Sequence, residues 1–318
     1  MRIVVTGAAG FIGSAVVGRL RDRGEQVVAL VRDPSTAPRL DGLGAELVTD
    51  DLSDPSRLRE HLEAADAVIH AAGSYRIGIT ADERPAMWDA NVGTTTRLLE
   101  AAEAAKVPRI VYLSTVNTFG NTDGRIVDES YGRDLALGFV SYYDETKYRA
   151  HEVAERRIES GAPIVIAMPG TVVGPGDHTV LGEQLLQSYR GRLPYVAAAD
   201  MGIAPAHVDD VAAGITAALA RGEVGRSYVL AGDCIRFGEA LRIAAEAGGR
   251  TLPRLQVPDG LLRAMAPFGR LVGQRNAGEV VSSSAGVTYW ATSQRAKDEL
   301  GYAPRDAAMA IRDTVANA

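Results

Sequence analysis

Residues 4–14 read VVTGAAGFIGS, and this stretch decides which fold the rest of the chain can form. A strand-like run of β-branched residues precedes the glycines Gly7, Gly10 and Gly13, and an apolar helical pattern follows. Glycines permit a tight turn, and a helix N-terminus offers unpaired N–H groups with a partial positive charge. The spacing departs from the general Gly-x-Gly-x-x-Gly fingerprint, and turn glycines can be purely structural. With a strand before it and a helix after it, the stretch predicts a pyrophosphate site for a dinucleotide.

The second strand-like run ends in ALVRDP (29–34), where an acidic residue would hold a ribose 2′-hydroxyl and an arginine would accept a 2′-phosphate. Arg32 occupies this place, and Asp33 follows it. A guanidinium binds a phosphate with two hydrogen bonds and gains little from a hydroxyl. Arg32 therefore favours NADP over NAD, and the alternative is a solvated arginine paired with Asp33.

Short apolar runs alternate with amphipathic helical patterns through the first half of the chain. Buried strands that are each followed by a helix predict a parallel sheet covered on both faces, an α/β doubly wound architecture. The strands are predicted at 2–6, 26–31, 45–49, 67–70, 109–114 and 163–168. The helices are predicted near 11–24, 54–63, 83–105 and 138–160.

After Pro175 the alternation loosens and helical patterns dominate. We predict a dinucleotide-binding domain over 1–175 and a smaller, mainly helical substrate lobe over 176–318. A further strand at 226–232 indicates that 203–232 returns to the first domain. A ligand is expected in the crevice between the two lobes. The later helices are predicted near 178–191, 208–221, 237–248, 258–268 and 305–316.

The composition excludes several classes of protein. The 318 residues are 46% hydrophobic and 23% charged, which is typical of a globular protein. A net charge of -6 provides no basic surface for nucleic acid or acidic lipid, and no apolar run is long enough for a membrane span. The single cysteine, Cys234, excludes an internal disulfide and a Cys-rich metal site. The expectation is a cytoplasmic protein.

Several motifs occur in an order that resembles the extended short-chain dehydrogenase/reductase superfamily over nearly the whole length. The resemblance is strongest to its dihydroflavonol reductase-like and 3β-hydroxysteroid dehydrogenase-like branch, within the NAD-dependent epimerase/dehydratase family. The motifs are TGAAGFIG (6–13), DLSD (51–54), HAAG (70–73), NVGTTTRLLEAA (91–102), YLSTVNTFG (112–120), PGTVVGPGD (169–177), HVDDVA (207–212) and AKDELGY (296–302).

The resemblance implies a Rossmann sheet and a set of cofactor-binding residues. It implies that Asp51 and Leu52 touch the adenine and that Ala71, Ala72 and Gly73 line the cofactor beside the fourth strand. The other expected cofactor contacts come from the glycine turn, Arg32, the catalytic helix and the sixth strand: Gly7, Gly10, Phe11, Ile12, Gly13, Arg32, Lys147, Pro169 and Gly170.

Tyr143 and Lys147 lie four apart in the stretch YYDETKYRAHEV (142–153), so a helix places them on one face. A free phenol has a pKa near 10, and a nearby cation favours the phenolate, so Lys147 is expected to lower the pKa of Tyr143. The resemblance implies that Tyr143 exchanges a proton with the substrate oxygen and that Lys147 holds the nicotinamide ribose. The alternative is ordinary boundary packing on a charged helix.

Thr115, at the end of the fifth strand, aligns with the catalytic Ser/Thr of the resembled family, and Ser114 precedes it. Strand alternation sends the two side chains to opposite faces, so only one of them reaches the substrate oxygen. Thr115 is predicted to be catalytic, and Ser114 is expected to bond to the backbone. His70 and Asn91 are expected to be structural.

The sequence predicts an NADP(H)-dependent carbonyl reductase or alcohol dehydrogenase. The apolar bias of the expected pocket favours a small or medium substrate with an apolar body, and NAD is less favoured. The predicted substrate contacts are Tyr75, Phe119, Thr171, Val172, Leu181, Leu185 and Tyr189. No metal is expected, because His207 and Asp209 have too few partners and an aspartate there suits a helix start.

Two alternatives stay open. A nucleotide-sugar epimerase or dehydratase would keep NAD tightly bound; the uncharged Ile203, Ala204 and Pro205 argue against it, while Arg190 and Arg192 could still bind a diphosphate. A non-catalytic cofactor-sensing regulator would lack the tyrosine and lysine. The resemblance also implies a homodimer through the helices at 83–105 and 138–160.

Overall fold

The computed structural model describes residues 1–267 and 276–318. In this part of the chain, seven parallel strands form one sheet in the order β11-β6-β5-β4-β1-β2-β3. The predicted doubly wound sheet is confirmed. Its strands are β1 (Arg2–Thr6), β2 (Gln26–Val31), β3 (Glu46–Thr49), β4 (Ala67–His70), β5 (Ile110–Leu113), β6 (Ile164–Pro169) and β11 (Ser227–Leu230).

The helices fall close to their predicted places in the first half of the chain, because amphipathic stretches between buried strands must cover the sheet. They are α1 (Phe11–Asp22), α2 (Pro55–Leu62), α3 (Arg84–Trp88), α4 (Thr94–Ala104), α5 (Tyr142–Glu159), α6 (Val180–Tyr189), α7 (Val208–Arg221), α8 (Phe237–Ala247), α9 (Asp259–Met265), α10 (Ala277–Ser282), α11 (Gln294–Leu300) and α12 (Ala307–Ala316).

Two apolar layers sandwich the sheet. One contains Leu58, Leu98 and Ala150 from α2, α4 and α5, and the other contains Val16, Ile215 and Leu300 from α1, α7 and α11. Strands β1, β4, β5 and β6 are buried along their whole lengths or nearly so, as expected for a parallel sheet covered on both faces. Edge strand β3 is the exception, since all four of its residues are exposed or partly exposed.

The later part of the chain forms a third core, in which α6, α8 and α12 pack together through residues such as Leu185, Ala240 and Ile311. Strand β11 pairs with β6 in the main sheet. The short strands pair as β10 with β7, β12 with β9 and β13 with β8. Their bounds are β7 (Thr171–Val173), β8 (Val196–Ala197), β9 (Gly202–Ile203), β10 (Pro205–His207), β12 (Ile235–Arg236) and β13 (Gln256–Val257).

Several boundaries differ from the prediction. The segment expected as one helix at 83–105 is interrupted by a π-helical turn over Asp89–Gly93. The helix expected from 138 begins at Tyr142, because Gly138 has a φ of 69° and Ser141 provides the N-cap. The helix expected at 258–268 ends at Met265, and residue 268 lies outside the described residues. Helices α10 and α11 were not predicted.

Candidate active site

The glycine turn between β1 and α1 packs against the segment that follows β4. Gly7 has a φ of 65°, and a Cβ on it would lie 2.5 Å from the Ala72 nitrogen. A Cβ on Gly13 would overlap the Gly7 carbonyl oxygen. These two positions therefore require glycine. Helix α1 begins at Phe11, and its N-cap residue, Gly10, has no side chain to accept from the first N–H groups of the helix. Such a turn fits a pyrophosphate.

Arg32 lies exposed directly after β2, in the predicted place. The alternative pairing with Asp33 is not formed, because that carboxylate accepts hydrogen bonds from the Ser35 N–H (2.9 Å) and hydroxyl (2.7 Å). These bonds, led by that from the hydroxyl, lower the pKa of Asp33. The Arg32 guanidinium is therefore not held by its neighbour.

The two other expected cofactor segments follow β3 and β4. Asp51 is exposed, and its carboxylate accepts from the Ser53 N–H at 3.0 Å, while buried Leu52 has a φ of 63°. The Ala71 N–H donates to the Thr6 carbonyl at 3.2 Å, which draws residues 71–73 against the glycine turn. The structure thus brings the glycine turn and the segment after β4 together at the carboxyl ends of the neighbouring strands β1 and β4.

Tyr143 and Lys147 lie on one face of α5, and both are buried, at 9% and 8% exposure. The Ser141 hydroxyl caps the helix by accepting from the Asp144 N–H at 3.1 Å. The Lys147 ammonium donates to the Leu113 carbonyl at 2.9 Å and lies 5.2 Å from the centre of the Tyr112 ring. Burial lowers the pKa of Lys147 to about 8.

The expected lowering of the phenol pKa by the lysine is not seen. The pKa of Tyr143 is raised far above its ordinary value, mainly by burial and then by the neighbouring Tyr75, and the Thr115 hydroxyl opposes the shift as a hydrogen-bond partner. Desolvation disfavours the phenolate, and the lysine ammonium is bound to a carbonyl instead. In this structure Tyr143 is a neutral phenol at neutral pH.

Thr115 and Ser114 point to opposite sides, as strand alternation predicted. Thr115 donates to the Asn117 amide oxygen at 3.1 Å and is 7% exposed, on the side of Tyr143. The Ser114 hydroxyl bonds to His151 Nδ1 at 2.7 Å. The expectation of a backbone bond for the Ser114 hydroxyl was therefore wrong, because α5 places an imidazole within reach of it.

His70 and Asn91 form a buried polar layer under the site, as expected. His70 bonds to Thr6 Oγ1 at 2.7 Å through Nδ1 and to Thr95 Oγ1 at 3.1 Å through Nε2. Burial, and secondly the Lys147 charge, lowers the pKa of His70 to about 3. Asn91 accepts from the Ser74 N–H at 2.7 Å and donates to Thr146 Oγ1 at 2.9 Å, which ties the loop after β4 to α5.

The predicted substrate contacts divide into two groups. Tyr75 is 56% exposed and lies against Tyr143, and Thr171 and Val172 of β7 are partly buried beside Pro169 and Gly170. Leu185 is fully buried in the core of the later lobe and cannot touch a substrate, so that prediction was wrong. The remaining three also pack into cores, Phe119 with the sheet and the partly buried Leu181 and Tyr189 with α8 and α12.

Three apolar residues near Tyr143 were not predicted. Ile77, Ile79 and Met87 cluster with Tyr143 and Tyr142. They come from the loop after β4 and from α3, where neither a motif nor a regular period marks them. Only the approach of this loop to α5 reveals the apolar wall beside the phenol.

His207, considered for a metal, has a different role. Its Nδ1 accepts from the Asp209 N–H at 3.2 Å, so the imidazole caps α7, and its Nε2 lies 2.8 Å from Asp313. Asp209 or Asp210 was expected to accept the N–H groups at the start of this helix, but His207 is the N-cap and Asp210 accepts from the Arg305 guanidinium at 3.1 Å. Within residues 1–267 and 276–318, no three His, Cys, Asp or Glu side chains are grouped to hold a metal, and no helix could cross a membrane.

The glycine turn, the buried tyrosine and lysine and the parallel sheet define an enzyme of the extended short-chain dehydrogenase/reductase class. The chain belongs to the NAD-dependent epimerase/dehydratase family, whose model matches residues 3–231. Enzymes of this family use a nicotinamide dinucleotide, and the crowded Gly7 and the uncapped α1 fit such a group.

Two relatives and one solved structure illustrate the similarity. A putative dihydroflavonol 4-reductase of Synechocystis sp. is 32% identical over 98% of this chain and 92% of its own length. The 4-hydroxy-2-methyl-3-oxo-4-farnesyl-3,4-dihydroquinoline-1-oxide ketoreductase of Stigmatella aurantiaca is 30% identical over 96% of this chain and 92% of its own. The crystal structure of gox2253 has a TM-score of 0.86 at 34% identity, covering 99% of this chain and 97% of that one.

Proposed function

We propose that this protein is an NADP(H)-dependent oxidoreductase that interconverts a carbonyl and a secondary alcohol on a small or medium substrate with an apolar body. The observation that carries the proposal is the placement of Tyr143 beside Thr115 at the carboxyl end of β5, with Lys147 bound to the Leu113 carbonyl. Relatives named as reductases support the reaction type.

The dinucleotide would be held by the glycine turn, the segment 71–73 and Lys147. Arg32 would take the 2′-phosphate, since it is exposed after β2 while Asp33 is engaged with Ser35. Asp51 and Leu52 would border the adenine, and Pro169 and Gly170 the nicotinamide end. Gly170 packs closely on the protein's own backbone, because a Cβ there would lie 2.6 Å from the Ala204 carbonyl oxygen.

Hydride transfer is the chemistry that a bound nicotinamide supplies. Tyr143, a neutral phenol near pH 7, donates its proton to the substrate oxygen as that oxygen gains negative charge. The Thr115 hydroxyl donates a hydrogen bond to the same oxygen and stabilises the charge. The Lys147 ammonium, protonated below about pH 8, would orient the ribose. At neutral pH the acid form of Tyr143 is the populated one, as proton donation to the substrate oxygen requires.

The substrate would lie against Tyr75 and the partly exposed Ile77, and the buried Ile79 and Met87 support this apolar surface from behind. Thr171 and Val172 of β7 would contact its far side. Aromatic and aliphatic side chains recognise apolar bodies, so an aromatic or alicyclic ketone fits better than a sugar phosphate.

The test is a titration of the protein with NADPH and with NADH, followed by a panel of aromatic, alicyclic and aliphatic ketones monitored by nicotinamide absorbance. We expect tighter binding of NADPH and turnover of at least one cyclic ketone. Preference for NADH would contradict the cofactor assignment, and absence of turnover across the panel would contradict the reaction class.

The alternative of a nucleotide-sugar epimerase or dehydratase has less support at the site. Ile203, Ala204 and Pro205, which precede α7, are buried in and between short strands and offer no charge to a diphosphate. Incubation with UDP-glucose without added cofactor distinguishes the two, because an epimerase would convert the sugar with no net change in nicotinamide absorbance.

We also propose that two copies associate through α4 and α5, on the family resemblance alone. Light scattering of the purified protein measures the mass and decides between monomer and dimer.

A further inference from the structure

Glu279 of α10 is a buried carboxylate, 9% exposed, that has no part in the chemistry described above. Its Oε1 accepts the backbone N–H of Tyr142 at 2.6 Å across 137 residues of sequence. Its Oε2 accepts from the Asn276 amide at 2.9 Å, and Asn276 in turn caps α10 by accepting the Glu279 N–H at 3.3 Å. One side chain therefore links the later lobe to α5.

The bond falls at the start of the helix that carries the candidate acid. Tyr142 is the first helical residue of α5, and such N–H groups have no partner within their own helix. The Ser141 cap satisfies the Asp144 N–H, and Glu279 satisfies the Tyr142 N–H. Tyr143 is the next residue, so a shift of the Tyr142 peptide moves the Tyr143 side chain directly.

Helix α10 and its N-cap residue Asn276 also contact the loop after β4, which packs against Tyr143. Asn276 donates to the Ile79 carbonyl at 2.9 Å, and Val280 packs on Gly78, where a Cβ would lie 2.8 Å from the valine methyl. The Ser282 hydroxyl donates to the Val140 carbonyl at 2.7 Å. The loop after β4 also carries Tyr75, whose ring lies against Tyr143. The same short helix thus holds both segments that bracket the phenol.

We propose that Glu279 is a positioning residue, which orients Tyr143 toward the substrate oxygen by holding the first turn of α5. The inference rests on the proposed function, since it assigns Glu279 a purpose in proton donation by Tyr143. Holding a reacting group in the productive geometry is a large part of catalysis, and a displacement of about 1 Å can cost on the order of 100-fold in rate.

The test compares Glu279→Ala, Glu279→Gln and Glu239→Ala. Glutamine keeps an acceptor oxygen for the Tyr142 N–H, whereas alanine removes it. Glu239 is a matched control, because it is also the third residue of its helix and follows a glycine, but its side chain is 47% exposed. Steady-state kcat and KM are measured with NADPH and a ketone that the wild type reduces, together with NADPH affinity and the melting temperature.

Glu279→Ala is expected to lower kcat roughly 10–100-fold with NADPH affinity unchanged. Glu279→Gln should recover most of that loss, and Glu239→Ala should match the wild type. An unchanged kcat in Glu279→Ala, or equal losses in the alanine and glutamine variants, would overturn the proposal. A fall in melting temperature at constant kcat would show a purely structural role and would overturn it as well.

A second measurement separates this inference from the proposed function. Crystal structures of the wild type and both Glu279 variants give the distance between the Tyr143 and Thr115 hydroxyls without any turnover. We expect this distance to lengthen in Glu279→Ala and to be kept in Glu279→Gln. An inactive wild type with that pattern contradicts the proposed function alone, whereas an unmoved Tyr143 in Glu279→Ala contradicts the positioning role alone.

Discussion

The ring of Tyr75 lies edge-on against the ring of Tyr143, with centroids 4.8 Å apart and planes at 88°. Tyr75 is 56% exposed and Tyr143 only 9%, so the outer ring covers the inner one. This contact excludes water from the phenol and contributes to its raised pKa. In the proposed site, a substrate would reach Tyr143 by displacing or stacking on Tyr75.

Replacement of Tyr143 by Phe tests the proton donor. We expect kcat to fall by about 10²–10⁴-fold, the usual contribution of a positioned general acid, while NADPH affinity stays within about threefold. Turnover and cofactor fluorescence are the measurements, and Tyr148→Phe, on the same helix and partly exposed, is the control. A cofactor-sensing regulator would lose nothing in Tyr143→Phe, so unchanged behaviour of that variant would favour the non-catalytic reading.

Replacement of Arg32 by Ala tests the choice between NADP and NAD. A hydrogen bond to a charged group contributes about 1.5–3 kcal/mol, so the Kd for NADPH should rise roughly 10–100-fold. The Kd for NADH should change little, because that cofactor has no 2′-phosphate. Isothermal titration with both cofactors measures the ratio, and exposed Arg23 provides the control as Arg23→Ala. An equal rise in the Kd values for NADPH and NADH would show that Arg32 does not bind the 2′-phosphate.

The glycine turn is tested by Gly7→Ala against Gly24→Ala. Both positions have positive φ, 65° and 78°, but a Cβ on Gly7 would meet the Ala72 backbone whereas one on Gly24 would meet nothing within 4 Å. Gly24→Ala should cost only the backbone strain, about 1–2 kcal/mol, and leave NADPH binding intact. Gly7→Ala should cost more stability and abolish NADPH binding. Urea unfolding and cofactor titration measure both effects, and a Gly7→Ala protein that binds NADPH normally would contradict the turn's assignment.

The buried imidazole of His70 predicts a specific loss of stability in acid. Its pKa is about 3 in the folded protein, below the unfolded value of 6.5, so the unfolded state takes up the proton first as pH falls. The contribution of His70 to the free energy of unfolding is complete above pH 6.5 and declines toward pH 3. Between pH 7 and pH 5 the loss is about 2 kcal/mol.

Urea unfolding at pH 7 and pH 5 measures this loss in the wild type and in His70→Gln. The glutamine variant should lose about 2 kcal/mol less over the interval, whatever its stability at pH 7. His178→Gln, at an exposed histidine, should keep the wild-type dependence. Identical pH dependence in His70→Gln and the wild type would show that His70 is not buried in its neutral form.

Local patterns were sufficient for the main sheet and for most helices. The bounds of β1, β2, β4 and α7 match their predicted ranges residue for residue. Continuous β-branched runs and amphipathic periods encode these elements within a few neighbouring residues, so no distant contact is needed to recognise them. The same local logic predicted the placement of Tyr143 and Lys147 on one helix face.

Elements held by distant contacts were not predicted. Strand β9 pairs with β12, and isolated bridges join Val127 to Ala291 and Gly202 to Thr288. Helix α10 has six residues, too few for a periodic signal. Leu185 was predicted to contact the substrate, but it is buried in the later core. Its burial depends on which face of α6 packs against α8, and the sequence does not specify that face.

The sequence by itself determined the parallel sheet, the glycine turn and the placement of Tyr143 and Lys147 on one helix face, because each depends on residue types at short spacings. The tertiary structure alone decided that the ammonium of Lys147 binds the Leu113 carbonyl, that burial raises the pKa of Tyr143 and that Glu279 accepts the N–H at the start of α5. These features arise where segments far apart in the chain exclude water from one another, and no local pattern records which segments meet.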